Sequence, residues 1–96
     1  MPSDNDYLTY VLDLLRKVDN VTYKKMMGEY ILYKDDVIFG GIYDNRFLVK
    51  KVPGLEEYGF KEAIPYPTGK PMLLVDLENP YSVADMVDII LDGLKV

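Results

Sequence analysis

The sequence predicts an α+β domain: an antiparallel β-sheet meander of about five strands packed by an N-terminal and a C-terminal helix. Apolar residues recur at helical spacing near each end of the chain. Between them, short runs rich in tyrosine, valine, isoleucine and phenylalanine alternate with turn residues, as in half-buried strands. The links between these runs are too short for crossovers, so neighbouring strands should be antiparallel. Both helices can cover one face of such a sheet, and the other face must be polar or meet a partner.

The two helices have different start signals. Residues 4–18 carry an apolar stripe, and we expect Ser3 to cap this helix. Asn79 followed by Pro80 predicts the start of the last helix, because proline suits the first helical position. We interpret both serines of the chain, Ser3 and Ser82, as helix caps.

The central part of the chain predicts a meander of four strands. They are expected at Val21–Met26, Glu29–Lys34, residues 37–43 and residues 46–52. Turn residues separate them at Gly28, at Asp35-Asp36 and at Asp44-Asn45, where aspartate and asparagine tolerate positive φ. Gly40-Gly41 inside the third strand indicates a bulge or a close approach. We favour a helix packing over this pair, with a ligand as the alternative.

The chain after the meander predicts four shorter elements. Residues 55–60 can form one helical turn and residues 61–64 a short edge strand. Three prolines and a glycine make residues 65–71 a stiff loop. The continuous apolar run of residues 72–76 predicts a strand buried on both faces.

Length and charge limit the classes of protein. Ninety-six residues predict one domain, residues 1–96, with a core of its own. There is no cysteine, no basic and apolar leader and no apolar run long enough for a bilayer, so we expect a cytoplasmic protein without membrane contact. The net charge of −5 disfavours direct binding of nucleic acid. The basic residues Lys24, Arg46, Lys50 and Lys51 leave it open, but lysines that protect a sheet edge are the simpler interpretation.

The residues that commonly perform catalysis are scarce. Histidine and cysteine are absent, which removes the usual neutral-pH base, the commonest metal ligand and the best nucleophile. The carboxylate pairs are Asp35-Asp36, Glu56-Glu57 and Asp76 with Glu78, and Asp76 at a strand end is the best candidate. None matches a calcium-loop pattern. We therefore expect a non-enzymatic protein without catalytic residues, cofactor or metal.

Tyrosines in the strands indicate a possible interaction surface, because tyrosine tolerates a half-wet face and is enriched at interfaces. The alternative is a core with its tyrosine hydroxyls at the rim. A second hypothesis is a small-ligand site formed by the loop and strand end at residues 65–76. The residues proposed for the interaction surface are Tyr23, Lys25, Tyr30, Tyr33, Tyr43, Arg46 and Lys50.

Residues 23–33, YKKMMGEYILY, and residues 37–50, VIFGGIYDNRFLVK, resemble the N-terminal domain of the TfoX/Sxy competence regulators. That family shows a basic residue, Met-Phe-Gly, a glycine-bearing strand, an Asp-Asp or Asp-Asn turn and a strand like LYLK. Met27 stands where the family usually has phenylalanine. Residues 65–66 and 69–72 and the last helix are similar to a second block of such domains.

The resemblance implies both a fold and a role. The fold is an antiparallel sheet flanked by helices, close to type III secretion chaperones, which often dimerise. The role is regulatory, in transcriptional control of natural competence alongside the cyclic-AMP receptor protein. The partner would be a protein, either transcription machinery or a second copy of the chain in a homodimer.

Overall fold

A computed structural model describes residues 2–95 and contains one antiparallel sheet with two α-helices, which confirms the predicted α+β class. The six strands lie in the order β1-β2-β3-β4-β6-β5. A short 3₁₀ turn spans Glu56–Tyr58. The elements are α1 (Asn5–Leu14), β1 (Val21–Met26), β2 (Glu29–Lys34), β3 (Val37–Ile42), β4 (Phe47–Val49), β5 (Glu62–Ala63), β6 (Met72–Leu74) and α2 (Pro80–Leu94).

Both helices pack on the same face of the sheet and form one core with it. Val11 of α1 and Ile90 of α2 are fully buried, as are Leu32, Phe39 and Phe47 of the sheet. Burying one such side chain contributes roughly 1.5–3 kcal/mol. The two-layer arrangement leaves the opposite face of the sheet, which we call the second face, without a helix. Neither helix of residues 2–95 has the length and apolar character needed to cross a bilayer.

Three tight turns with positive φ connect the first four strands. The φ values are 53° and 83° at Met27 and Gly28, 50° and 65° at Asp35 and Asp36, and 52° and 53° at Asp44 and Asn45. Left-handed conformations at both turn positions fit the right-handed twist of the strands. The positions of all three turns agree with the sequence prediction.

The ends of the helices differ in part from prediction. Asp4, not Ser3, caps α1: its Oδ1 accepts a hydrogen bond from the backbone N–H of Tyr7 at 2.8 Å. The helix ends at Leu14 rather than at residue 18. Asn79 caps α2 as predicted, by accepting hydrogen bonds at its Oδ1, whereas Ser82 lies inside the first turn and is not the cap.

The later strands are shorter than predicted. The strand predicted at residues 46–52 covers Phe47–Val49, and the one predicted at residues 72–76 covers Met72–Leu74. Leu73 and Val75 are buried in the core, while Leu74 is only half-buried, so this segment is not buried on both faces throughout.

The closest neighbours of Gly40-Gly41 are not helix atoms, although α2 packs against β3. A Cβ at Gly40 would lie 2.4 Å from the carbonyl oxygen of Leu48 on β4. One at Gly41 would lie 2.6 Å from the Tyr43 ring. The close approach therefore comes from the next strand and from Tyr43, which directly follows β3. The register also shifts between Leu32 and Tyr33, which makes the bulge that the glycines indicated.

Candidate functional site

The strand register divides the seven residues of the predicted interaction surface between two faces. Tyr23 pairs with Leu32, and Lys25 pairs with Tyr30. Directly paired residues share a face, so Tyr23 and Lys25 lie on the helix-bearing face together with Leu32 and Tyr30. The rings of Tyr23 and Tyr30 have centroids 5.8 Å apart, and the Lys25 Nζ lies 5.9 Å from the Tyr30 ring.

Tyr30 is only 4% exposed and belongs to the core, so it cannot contact a partner. The sequence pattern of a strand could not show that Tyr30 is buried. Alternation tells which residues share a face, but it does not tell which face the helices cover. For Tyr30, the alternative of a core tyrosine is the correct one.

Three of the seven residues lie on the second face. Tyr33 pairs with Ile38, and Tyr43 and Lys50 line the surface there. Arg46 lies in the turn before β4, where its Nε donates to the carbonyl oxygen of Tyr43 at 3.1 Å. The structure therefore does not bring the seven side chains together on one surface.

Residues 64–71, which we call the proline loop, cross the second face. The Arg46 guanidinium donates a hydrogen bond to the carbonyl oxygen of Ile64 at 3.1 Å and so fastens the start of the loop to the β3–β4 turn. Pro65 is buried, and the ring centroids of Tyr66 and Tyr43 lie 6.2 Å apart. Burial, with smaller contributions from Tyr66 and Glu29, raises the pKa of the Tyr43 hydroxyl, which therefore stays protonated at neutral pH.

The proline loop separates two grooves, one on the second face and one that runs from the second face to Leu94 at the end of α2. The first, which we call the apolar groove, has a volume of about 610 Å³. The second, which we call the lysine groove, has a volume of about 550 Å³. Tyr43 and Tyr66 line both grooves. The apolar groove is lined mainly by Met26, Met27, Ile31, Pro65 and Pro67, and the lysine groove includes Ile38, Lys50, Lys51, Lys70 and Met72.

The tip of the β1–β2 hairpin forms one end of the apolar groove. Met27 is 97% exposed and has a φ of 53°, although it has neither the flexibility of glycine nor the local hydrogen bonding of asparagine. Met26 beside it is 45% exposed. Two methionines thus present their side chains to solvent at the edge of an apolar surface.

Hydrogen bonds to Glu29 hold this end of the sheet to the N-terminal segment. The carboxylate accepts from the Ser3 hydroxyl at 2.6 Å, from the Ser3 backbone N–H at 2.9 Å and from the Asp44 backbone N–H at 3.1 Å. The Ser3 hydroxyl in turn accepts from the Asn45 N–H at 3.0 Å. Sequence reasoning missed this cluster, because its members are far apart in the chain and Ser3 was interpreted as a local cap.

The carboxylates that were candidates for chemistry are dispersed. Among residues 2–95, no three carboxylates come close enough to hold a metal ion. The Nδ2 of Asn20 donates to Asp35 at 2.8 Å and Lys34 lies 3.3 Å from the other Asp35 oxygen, and together they hold the pKa of Asp35 below its usual value. Asp76 is exposed and lines neither groove.

Comparison with known proteins finds two similarities. The sequence model of the TfoX N-terminal domain matches residues 13–87, a range that contains the whole sheet, the proline loop and half of α2. The uncharacterized 12.7 kDa protein in the trpE 5′ region of Spirochaeta aurantia is 33% identical over 78 residues, which cover 79% of this chain and 68% of that protein.

Proposed function

This chain belongs to the TfoX N-terminal domain family, and from that premise we propose that it is a non-enzymatic regulatory module that binds another protein through its second face. The observation that carries the proposal is the uncovered second face. Two grooves lie there side by side, and a fully exposed methionine stands at the rim of one of them. An apolar surface of this kind on a folded domain is typical of an interaction site.

The state of the polar side chains supports a role without catalysis. The carboxylates of Glu29 and Asp35 accept hydrogen bonds from neighbouring residues, and that of Glu62 lies 2.6 Å from the Lys51 Nζ. A carboxylate used as acid or base needs a perturbed pKa and access to a substrate. Among residues 2–95, the only carboxylate whose pKa is clearly shifted is that of Asp35, and its shift follows from its contacts with Asn20 and Lys34.

Site-specific photo-crosslinking in cells tests the proposal. A photoreactive phenylalanine analogue replaces Met27 on the second face or, as the matched control, Tyr81, which is exposed on α2. We expect a defined crosslinked protein from position 27 and none from position 81. The purified partner should then lose affinity for Met27→Asp and keep it for Tyr81→Asp. Equal crosslinking at both positions, or none at position 27, would contradict the proposal.

A small-ligand domain is a second candidate function, and the lysine groove is the observation that favours it. Its volume of about 550 Å³ falls in the range of small-molecule sites, and residues 65–72 supply much of its wall. A thermal-shift screen with nucleotides, sugar phosphates and inorganic phosphate tests this candidate. A true ligand at a hundred times its Kd stabilises the fold by roughly 2.7 kcal/mol, and Lys70→Ala should reduce that gain.

A further inference from the structure

We infer that the second face binds an acidic peptide segment of a partner protein, with a bulky apolar side chain of that segment seated in the apolar groove. The inference rests on the proposed function and names the chemistry of its partner. It depends on three features of the second face: its charge, its apolar lining and its lack of self-complementarity.

The charge of the second face is opposite to that of the whole chain. The protein has a net charge of −5, yet three lysines lie on or beside the grooves in addition to Lys51, which is paired with Glu62 at 2.6 Å. Lys50 and Lys70 line the lysine groove, and Lys24 pairs with Ile31 of the apolar groove and so shares its face. Among residues 2–95, none of these three lysines forms a salt bridge.

Acidic residues do not offset this charge on the second face. Within the described part of the chain, Glu29 is the one carboxylate that lines either groove, and three hydrogen bonds hold it to Ser3 and Asp44. The helices carry the other sign. Exposed carboxylates on α1 and α2 are Asp6, Asp13, Asp85, Asp88 and Asp92. A partner with negative charge is therefore attracted to the second face and repelled by the helix layer.

The lining of the apolar groove suits a large apolar side chain. Met26, Met27 and Ile31 form one wall, and Pro65, Tyr66 and Pro67 form the other. Methionine side chains are flexible and adapt their shape to different apolar partners. Tyrosine supplies a large contact area at small entropic cost, as in other protein-binding surfaces. The volume of about 610 Å³ accommodates an anchor residue with its neighbours.

Other occupants fit the second face less well. Three lysines can neutralise few phosphates, so nucleic acid would bind weakly and against the net charge of the chain. A symmetric dimer places the same patch of each copy against the other. Such a dimer through the second face would bring the lysines of both copies together, and like charges across an interface oppose binding.

Selection of random dodecapeptides displayed on phage against the full chain identifies the preferred chemistry. We expect sequences enriched in aspartate and glutamate around one leucine, phenylalanine, methionine or tryptophan. The best peptide, labelled with fluorescein, then gives a Kd by anisotropy. Because exposed charges are screened by salt, the Kd should rise with ionic strength.

Variants of the chain separate charge from anchor. Lys24→Glu combined with Lys70→Glu should weaken binding about tenfold, since each reversed contact adds repulsion to a lost attraction. Met27→Asn removes the exposed apolar side chain and is compatible with the turn, so a loss of binding cannot be attributed to unfolding. Lys17→Glu on the helix layer has the same charge change per site and should leave the Kd unchanged.

Each contrary outcome overturns the inference. Selected peptides without acidic enrichment, or a Kd that the lysine reversals do not change, would show that the partner segment is not acidic. If Met27→Asn still weakened peptide binding in that case, the proposed function would stand. Binding of single-stranded DNA or anionic vesicles in place of peptides would assign the face to another class of ligand. A dimer in light scattering that Met27→Asn dissociates would assign it to a second copy. If no peptide bound and position 27 gave no crosslinked protein, the proposed function would be overturned as well.

Discussion

The substitution Met27→Asn should stabilise the fold, although it removes an apolar side chain. Met27 occupies the first position of a two-residue turn at a φ of 53°, followed by Gly28 at 83°. For residues other than glycine, asparagine and aspartate, the left-handed conformation costs roughly 1–2 kcal/mol, and Asn-Gly is the preferred sequence for such a turn. The Met27 side chain is 97% exposed, so its removal loses almost no buried area.

The expected gain is therefore a large part of the conformational cost, about 0.5–1 kcal/mol. In a domain of this size that corresponds to a rise in Tm of roughly 3–6 °C. Urea and thermal unfolding followed by circular dichroism measure both quantities. Met26→Asn is the matched control: this residue is also exposed but lies within β1, and asparagine is unfavourable in strands, so the variant should lose stability.

A Met27→Asn variant less stable than the wild type would refute this reasoning. It would mean that the Met27 side chain packs against something in the free protein in solution, such as a second copy of the chain. A gain in stability combined with weaker partner binding would instead indicate that Met27 is kept at this position for recognition, at a cost to the fold.

Three further predictions concern the scaffold around the grooves. Gly40→Ala should destabilise the protein by about 1–3 kcal/mol in chemical denaturation, because its Cβ would lie 2.4 Å from a backbone carbonyl oxygen that cannot move independently. Ser3→Ala should cost about 1–2 kcal/mol, since Glu29 loses a hydroxyl donor at 2.6 Å; no loss would show that the N-terminal segment is not held in this way. Asn20→Ala should raise the pKa of Asp35 in an NMR titration, because its side-chain hydrogen bond is the largest cause of the lowered value. A carboxyl whose pKa is lowered in the folded state stabilises the fold at pH values above its unfolded pKa, which is near 3.8, and this contribution is lost as the pH falls further. The difference in stability between Asn20→Ala and the wild type should therefore shrink in acid.

Local chemistry explains why the meander could be predicted from the sequence. Asp44-Asn45 occupies a turn that needs two positive φ values, and the bounds of β1 and β2 agree with prediction because turn residues mark both ends. The turn residues Asp19 and Asn20, which were expected to end α1, lie several residues beyond its last helical residue. Leu15 continues the apolar spacing and is buried, but it lies beyond the last helical residue. The apolar spacing therefore predicted correctly which residues are buried, but it overestimated the length of α1.

The candidate site was harder to predict, because it depends on contacts between distant segments. The apolar run at Met26-Met27 was visible in the sequence, but the opposite wall of its groove comes from the proline loop about 40 residues later. The bulge in β3 adds a second difficulty. It places Ile38 opposite Tyr33 and Gly40 opposite Leu32, so simple alternation along β3 assigns the wrong face to part of the strand.

A strand glycine determines the shape of both grooves, although it contributes no side chain to either contact surface. Gly41 leaves room for the ring of Tyr43, which a Cβ would approach to 2.6 Å. With the ring of Tyr43 at this position, Tyr66 lies next to it and forms a wall common to the two grooves. Arg46, in the turn between β3 and β4, holds the start of the proline loop through its hydrogen bond to the carbonyl oxygen of Ile64. The proposed recognition surface thus depends on backbone space as much as on side chains, which is why a search for reactive side chains alone does not find it.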